Sequence, residues 1–368
     1  MKIINVVGAR PNFIKIAPLL EEYKKWPKIK SLLVHTGQHY DFNMSQRFFD
    51  ELKISKPDYN LGIGSGSHAQ QTARIMLSFE KVCIKEKPDL VVVVGDVNST
   101  VACALVAKKM NINVAHVEAG LRSFDESMPE EINRILTDHL SDFLFVTEES
   151  GKKNLQNENI PPKKIFFVGN IMIDSLVKNL REINNRKIIE NLNLNKKDYL
   201  VITFHRPSNV ENKEILSKLL GYIKDLSKDM VIVFPIHPRT KKALEDYKLK
   251  EIGGYLKNIK VTEPLGYLDF ISLVKNSKGV LTDSGGVQEE TTFLGVPCIT
   301  LRENTERPIT IKRGTNHLIS NIHEEGVLEK IKNLIENFKP RVKNPEKWDG
   351  KTAERILKVI VKSASEES

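Results

Sequence analysis

The stretch LTDSGGVQEE, from Leu281 to Glu290, breaks an apolar run at Asp283, passes through Ser284, Gly285 and Gly286, and resumes with helical character carrying Glu289 and Glu290. Serine is a common helix N-cap, and two glycines let a ligand approach bare backbone N–H groups. A helix start of this kind binds phosphate through those N–H groups and the helix dipole. Glu290 lies one to two turns further on, placed to accept hydrogen bonds from ribose hydroxyls. A plain strand-to-helix turn accounts for the same letters, and the stretch alone does not separate the two readings.

Other apolar runs also end in groups that do chemistry. INVVGARPNFIK leads to Arg10 and Lys15, VVVVGD to Asp96, VAHVEAGLR to Glu118 and Arg122, VITFHRP to His205 and Arg206, and VFPIHPR to His237 and Arg239. His116 and Glu118 alternate on one strand and so share a face, which is half of a metal site. No third and fourth ligands stand at useful spacing, so no metal is expected. Each residue has a structural alternative. Asp96 suits a turn, Lys15 a solvated helix face, His205 a satisfied buried histidine, and Pro129-Glu130-Glu131 a helix start. Their common position at strand ends favours a site.

The elements that must hold these groups follow from the periodicity. Short β-branched runs alternate with segments of helical period, such as STVACALVAKKM. Continuous apolar strands imply parallel sheets covered by helices on both faces. Six strand candidates fall in each half of the chain, from IINVV to IFFVGN and from YLVITFH to HLIS. The expected fold is α/β, with two Rossmann-like doubly wound parallel-sheet domains facing across a cleft. In such sheets ligands bind beyond the carboxyl ends of the strands. The division expected is 1–172, 173–346 and a terminal helix in 347–368. GIGSGS, from Gly62 to Ser67, does not pass from a strand into a tight turn and reads as a loop. No P-loop or dinucleotide fingerprint is present, so neither ATP nor NAD chemistry is indicated.

Composition narrows the class. The 368 residues are 40% hydrophobic, enough for a sizeable core, and carry a net charge of +9. The lysines are scattered through helical stretches, which suits an anionic small ligand rather than a nucleic acid. Three cysteines in apolar contexts read as buried thiols of a reducing compartment. MKIINVV turns polar over Gly8, Ala9 and Arg10, and no apolar run is long enough to span a bilayer. The expectation is a cytoplasmic protein without a membrane partner.

Taken together, GARPNFIKIAPL, TGQHYD, VVGDVNST, HVEAGLRS, PEEINR, GNIMID, TFHRPSN, TDSGGVQEE and ENTERP resemble the non-hydrolysing UDP-N-acetylglucosamine 2-epimerases, in order, from Gly8 to Pro308. The resemblance implies a glycosyltransferase-B-like arrangement with a C-terminal helix returning toward the first domain. It implies reversible epimerisation at C2 of UDP-N-acetylglucosamine by elimination of UDP to a 2-acetamidoglucal and re-addition, with no cofactor. Asp96, Glu118 and Glu130 match the family's acid/base carboxylates, with His205 beside them. Ser284, Gly285 and Gly286 would hold the phosphates, Glu290 the ribose, and Phe270 would lie near the uracil. Arg10, Lys15, His205 and Arg307 would face the phosphates or the sugar. TGQHYD matches a region linked to a second, activating UDP-N-acetylglucosamine, with Gln38 and Gln46 as candidates. A homodimer is the simplest assembly. Two alternatives stay open, a glycosyltransferase-B-type sugar transferase and a 2-epimerase acting on a diacetamido UDP-sugar.

Overall fold

The computed structural model describes residues 1–38, 48–249, 258–339 and 343–366. The chain forms two compact units, Met1–Lys178 with Glu346–Ser368, and Asn179–Pro345. Helix Ile171–Asn184 carries the chain from the first to the second.

The first unit is built on a seven-stranded parallel sheet: β1 (Lys2–Val7), β2 (Lys30–His35), β3 (Tyr59–Asn60), β4 (Leu90–Val94), β5 (Asn113–Ala119), β6 (Phe143–Val146) and β7 (Ile165–Phe167), in the order β3-β2-β1-β4-β5-β6-β7. Every residue of LVVVV in β4 is buried, as a strand covered on both faces requires. The sequence indicated six strands here. The seventh, β3, is a two-residue edge pairing with β2, too short to show alternation. Strand order reverses between β1 and β4, which pair from Ile3↔Leu90 to Val6↔Val93. This switch point opens a crevice at the carboxyl edge. Asn12 braces it: Oδ1 accepts the N–H groups of Gly8 (3.0 Å) and Ala9 (2.9 Å), and Nδ2 donates to the Val94 carbonyl (3.0 Å). The terminal helix Thr352–Glu366 packs on helix Arg10–Tyr23 within this unit, and Asp174 Oδ2 accepts the Ala353 N–H (2.7 Å) at its start.

The second unit has six parallel strands: β8 (Tyr199–Thr203), β9 (Val231–Pro235), β10 (Ile259–Thr262), β11 (Gly279–Thr282), β12 (Cys298–Leu301) and β13 (Asn316–Ile319), in the order β10-β9-β8-β11-β12-β13. Its switch point lies between β8 and β11, so His205 and Asp283 emerge side by side. A core of Ile202, Phe204, Leu219, Ile232, Phe234 and Ile331 lies under this sheet. Cys83, Cys103 and Cys298 are buried thiols without disulfides. Among the described residues no helix is long and apolar enough to cross a membrane.

Candidate active site

In the first unit, β5 breaks its register with β6 between Val117 and Ala119, and Glu118 adopts φ +77°. Simple alternation would put Glu118 on the face of His116. A bulge re-aims the side chain instead. The Glu118 carboxylate forms an ion pair with Lys15, and both side chains are buried. Lys15 is therefore not on a solvated helix face. Gly95, at φ +69°, lies against this pair: a Cβ there would stand 3.1 Å from Lys15 Nζ and 3.4 Å from Glu118 Oε2. His116 places Nε2 2.8 Å from the Gly95 carbonyl and Nδ1 2.7 Å from Asp138 Oδ1. Burial pushes the Asp138 carboxyl upward, but His116 and Arg122 outweigh it and hold that group below its usual range. Arg122 spans Asp138 and Glu158, each at 2.7 Å, so its role is internal bracing.

Asp96 lies two residues beyond the end of β4. Arg134 Nε donates to Asp96 Oδ2 (3.1 Å), and Asn133 Nδ2 donates to its backbone carbonyl (2.9 Å). Arg134 also pairs with Glu131, which is buried and accepts the N–H groups of Ser123 (3.0 Å) and Phe124 (2.9 Å). Thus the second acid of PEE ties down the preceding loop. The first, Glu130, is half-buried and has no hydrogen-bond partner among the described residues. Arg10 opens helix Arg10–Tyr23 and is half-buried. Gln38 Oε1 accepts from Ser99 N (3.1 Å) and Ser99 Oγ (2.7 Å). Gln46 lies outside the described residues.

In the second unit, Asp283 is fully buried and accepts the N–H groups of His205 (3.0 Å) and Arg206 (2.9 Å) and the Asn209 amide (3.1 Å). Burial opposes its ionisation, but His205 and these N–H groups prevail and hold its carboxyl below the usual range. A carboxylate only accepts, so His205 Nδ1, 2.9 Å away, is the donor. That fixes the ring and leaves Nε2 for another partner.

Helix Gly285–Leu294 starts immediately after Ser284. Ser284 occupies the N-cap position, but its side chain makes no cap hydrogen bond, and the expectation that it caps the helix is corrected. Its own N–H is instead drawn to Thr282 Oγ1 (3.0 Å), and no side chain of the cap residue covers the first-turn amides. Gly286 is half-exposed there, whereas Gly285 is buried. A Cβ on Gly285 would stand 2.6 Å from Arg307 Nη1, so glycine is what admits that guanidinium. Arg307 Nη1 donates to Glu306 Oε1 (2.6 Å) and Nε lies 2.9 Å from Glu289 Oε1. Arg302 reaches Glu306 at 2.9 Å and Arg206 reaches it at 3.6 Å. Burial and the carboxylate of Glu289 push Glu290 up to about 8. Tyr267 lies beside Glu290 without a well-formed hydrogen bond. With Glu290 neutral at pH 7, Arg206, Arg302 and Arg307 outnumber Glu289 and Glu306. Arg206 Nε and Arg302 Nη1 are buried with no hydrogen-bond partner among the described residues. Positive charge with spare donors beside a helix N-terminus is a seat for an anion. Phe270 is partly buried and packs with Leu265 against the core of Tyr199, Val201 and Val287.

Sequence reasoning did not identify Asn12, Arg134, Asp138, Arg302 or Glu306. Arg302 and Glu306 stand four apart in a stretch that reads as a polar loop. Arg134 sits among ordinary helical residues, and its partner Asp96 is distant in the chain.

A sequence profile described as UDP-N-acetylglucosamine 2-epimerase matches residues 21–361. The UDP-N-acetylglucosamine 2-epimerase of Methanocaldococcus jannaschii is 47% identical over 365 residues, covering 98% of this chain and 99% of that protein. A crystal structure of the Methanocaldococcus jannaschii enzyme in complex with UDP-GlcNAc and UDP superposes with a TM-score of 0.92 at 46% identity, covering 98% of this chain and 99% of the other. The UDP-2,3-diacetamido-2,3-dideoxy-D-glucuronate 2-epimerase of Pseudomonas aeruginosa is 42% identical, covering 87% of this chain and 88% of that protein.

Proposed function

The chain belongs to the UDP-N-acetylglucosamine 2-epimerase family, and on that premise we propose that it interconverts UDP-N-acetylglucosamine and UDP-N-acetylmannosamine without a cofactor. The observation that carries this reading is the pairing of two carboxylates with buried cations at one switch point, Glu118 with Lys15 and Asp96 with Arg134. Carbon 2 has no adjacent carbonyl to acidify its proton, so the route is elimination. The C2–H electrons form the C1–C2 double bond, the proton passes to a carboxylate, and the C1–O electrons leave with UDP. Re-addition joins the diphosphate oxygen to C1 while a proton reaches the other face of C2. Two facial transfers call on more than one carboxyl group, and Asp96, Glu118 and Glu130 are the candidates. In this reading the second unit holds the nucleotide. Its net positive cluster, the amides at Gly285 and Gly286, and the oriented ring of His205 stabilise charge growing on the departing diphosphate.

Heavy water tests the proposal. The protein incubated in it with UDP-N-acetylglucosamine and no acceptor should give both epimers, labelled at C2, with the nucleotide attached. An unlabelled C2 refutes epimerisation and points to transfer. Free N-acetylmannosamine with UDP would mean the hydrolysing reaction. Conversion of only a diacetamido glucuronate substrate would move the assignment to that chemistry.

The same reading extends to assembly. Leu77 (64% exposed) and Ile84 (59%) share one face of helix His68–Glu86, and Ile132 and Leu136 (49% each) share one face of helix Pro129–Leu140. Helix Asn98–Lys109 packs against both. An apolar face of this extent suits a homodimer in which the same helices meet across a two-fold axis. Leu77→Lys with Leu136→Lys should halve the mass in sedimentation equilibrium, and an unchanged mass would reject this face. A second UDP-N-acetylglucosamine near Gln38 and Gln46 would act as activator, giving sigmoidal substrate dependence; hyperbolic kinetics would reject it. Buried thiols support a cytoplasmic location.

A further inference from the structure

Phe124 is 79% exposed, the most exposed large apolar side chain among the described residues, and it stands at φ +59°. The positive φ is unfavourable for a bulky aromatic residue. That backbone conformation is held by hydrogen bonds. The N–H groups of Ser123 and Phe124 are donated to the Glu131 carboxylate, and the Asp125 N–H to Ser123 Oγ (3.3 Å). Glu131 in turn pairs with Arg134, which holds Asp96 at 3.1 Å. The loop that presents the ring is therefore tied, through two side chains, to a carboxylate of the proposed proton-transfer set. The other strongly exposed apolar residues of this unit lie in pairs on helix faces. Phe124 stands on the loop between β5 and helix Pro129–Leu140, at the carboxyl edge of the sheet.

We propose that Phe124 is a sugar-contacting residue, an aromatic platform that covers the C–H face of the hexose and of the 2-acetamidoglucal. This rests on the epimerase reading above. Its chemical logic comes from the intermediate. Once the C1–O bond has broken, the glucal is uncharged and no longer tethered to the nucleotide. Only non-covalent contact keeps it in place until UDP returns. The polar groups of the site grip diphosphate and proton, and an apolar ring supplies the missing cover. Strain retained in a loop that is tied to Asp96 through Glu131 and Arg134 is the kind of outlier from which a functional role is inferred.

The test compares wild type with Phe124→Gly and Phe124→Tyr. Glycine relieves the positive φ, so that variant should melt no lower than wild type. Its affinity for UDP, which lacks the sugar, should be unchanged. Its epimerisation should fall by roughly threefold to tenfold, the size expected for losing one aromatic stacking contact. Free UDP and 2-acetamidoglucal should accumulate as the intermediate escapes, and Phe124→Tyr should restore retention. If Phe124→Gly epimerises like wild type with no released glucal, the platform is refuted while the epimerase reading stands. If activity falls only with a change in oligomeric mass and tyrosine does not rescue it, Phe124 belongs to an interface and the proposal fails. A wild-type protein that exchanges no C2 proton takes both readings down.

Discussion

Glu290 offers a measurement that is sensitive to the second unit's electrostatics alone. Its carboxyl is buried beside Glu289 and stands at about 8 instead of 4.5. Because the folded value is raised, its contribution to stability is complete below pH 4.5 and is lost as pH rises through 8. At about 1.4 kcal/mol per unit, the whole excursion is on the order of 4–5 kcal/mol, an upper bound for a site that can relax on ionisation. Glu290→Gln fixes the neutral form. The wild-type melting temperature should therefore fall relative to the variant as pH rises from about 5 to 9, by on the order of 5–10 °C at the top of that range. The other titrating groups are common to both proteins and cancel in the difference. Differential scanning calorimetry at intervals across that range, without ligand, supplies the comparison. A gap between the two proteins that stays constant with pH would mean that Glu290 is ionised throughout. The cluster around Arg307 would then be electrically balanced, with no net positive charge to draw an anion.

Glu118→Gln and Asp96→Asn should each lower kcat by roughly 10²–10⁴ while leaving UDP-sugar affinity within a few-fold; loss of binding equal to the loss of turnover would show that these carboxylates only shape the site. Arg307→Lys keeps a charge but loses the planar fork that meets Glu289 and Glu306 together, so steady-state kcat should drop by about 10²-fold; near-wild-type turnover would place the diphosphate elsewhere. Asp174, raised from 3.8 to about 6 chiefly by burial, contributes stability that is complete below pH 3.8 and lost as pH rises through 6. Asp174→Asn should thus gain on wild type across that window and level off above it, and melting curves with no relative change between pH 4 and 6 would contradict this.

The parts of the site legible in the sequence were those that topology forces. A parallel strand covered on both faces reads as an apolar run, and the first polar residue after it must lie at the carboxyl edge. Asp96, His205 and Asp283 could be found in that way, and Glu118 stands one residue before the end of β5. What stayed illegible depended on single-residue geometry or on partners far apart in the chain. The bulge at Glu118 is a one-residue register shift with no compositional mark, yet it takes Glu118 off the face of His116 and onto Lys15. Ser284 looks like a cap, but whether a hydroxyl turns back on its own helix is a rotamer, not a residue type. The charge of Glu290 was misleading for a third reason: a formula charge of −1 ignores burial beside Glu289. The same holds for the molecule as a whole. Its net charge of +9 is spread over scattered lysines, where solvent and salt screen it. A diphosphate held by the second unit, as proposed, would instead meet one local imbalance, Arg206, Arg302 and Arg307 against Glu289 and Glu306. That imbalance exists only because the chain folds a third glutamate into a place where it gives up its charge.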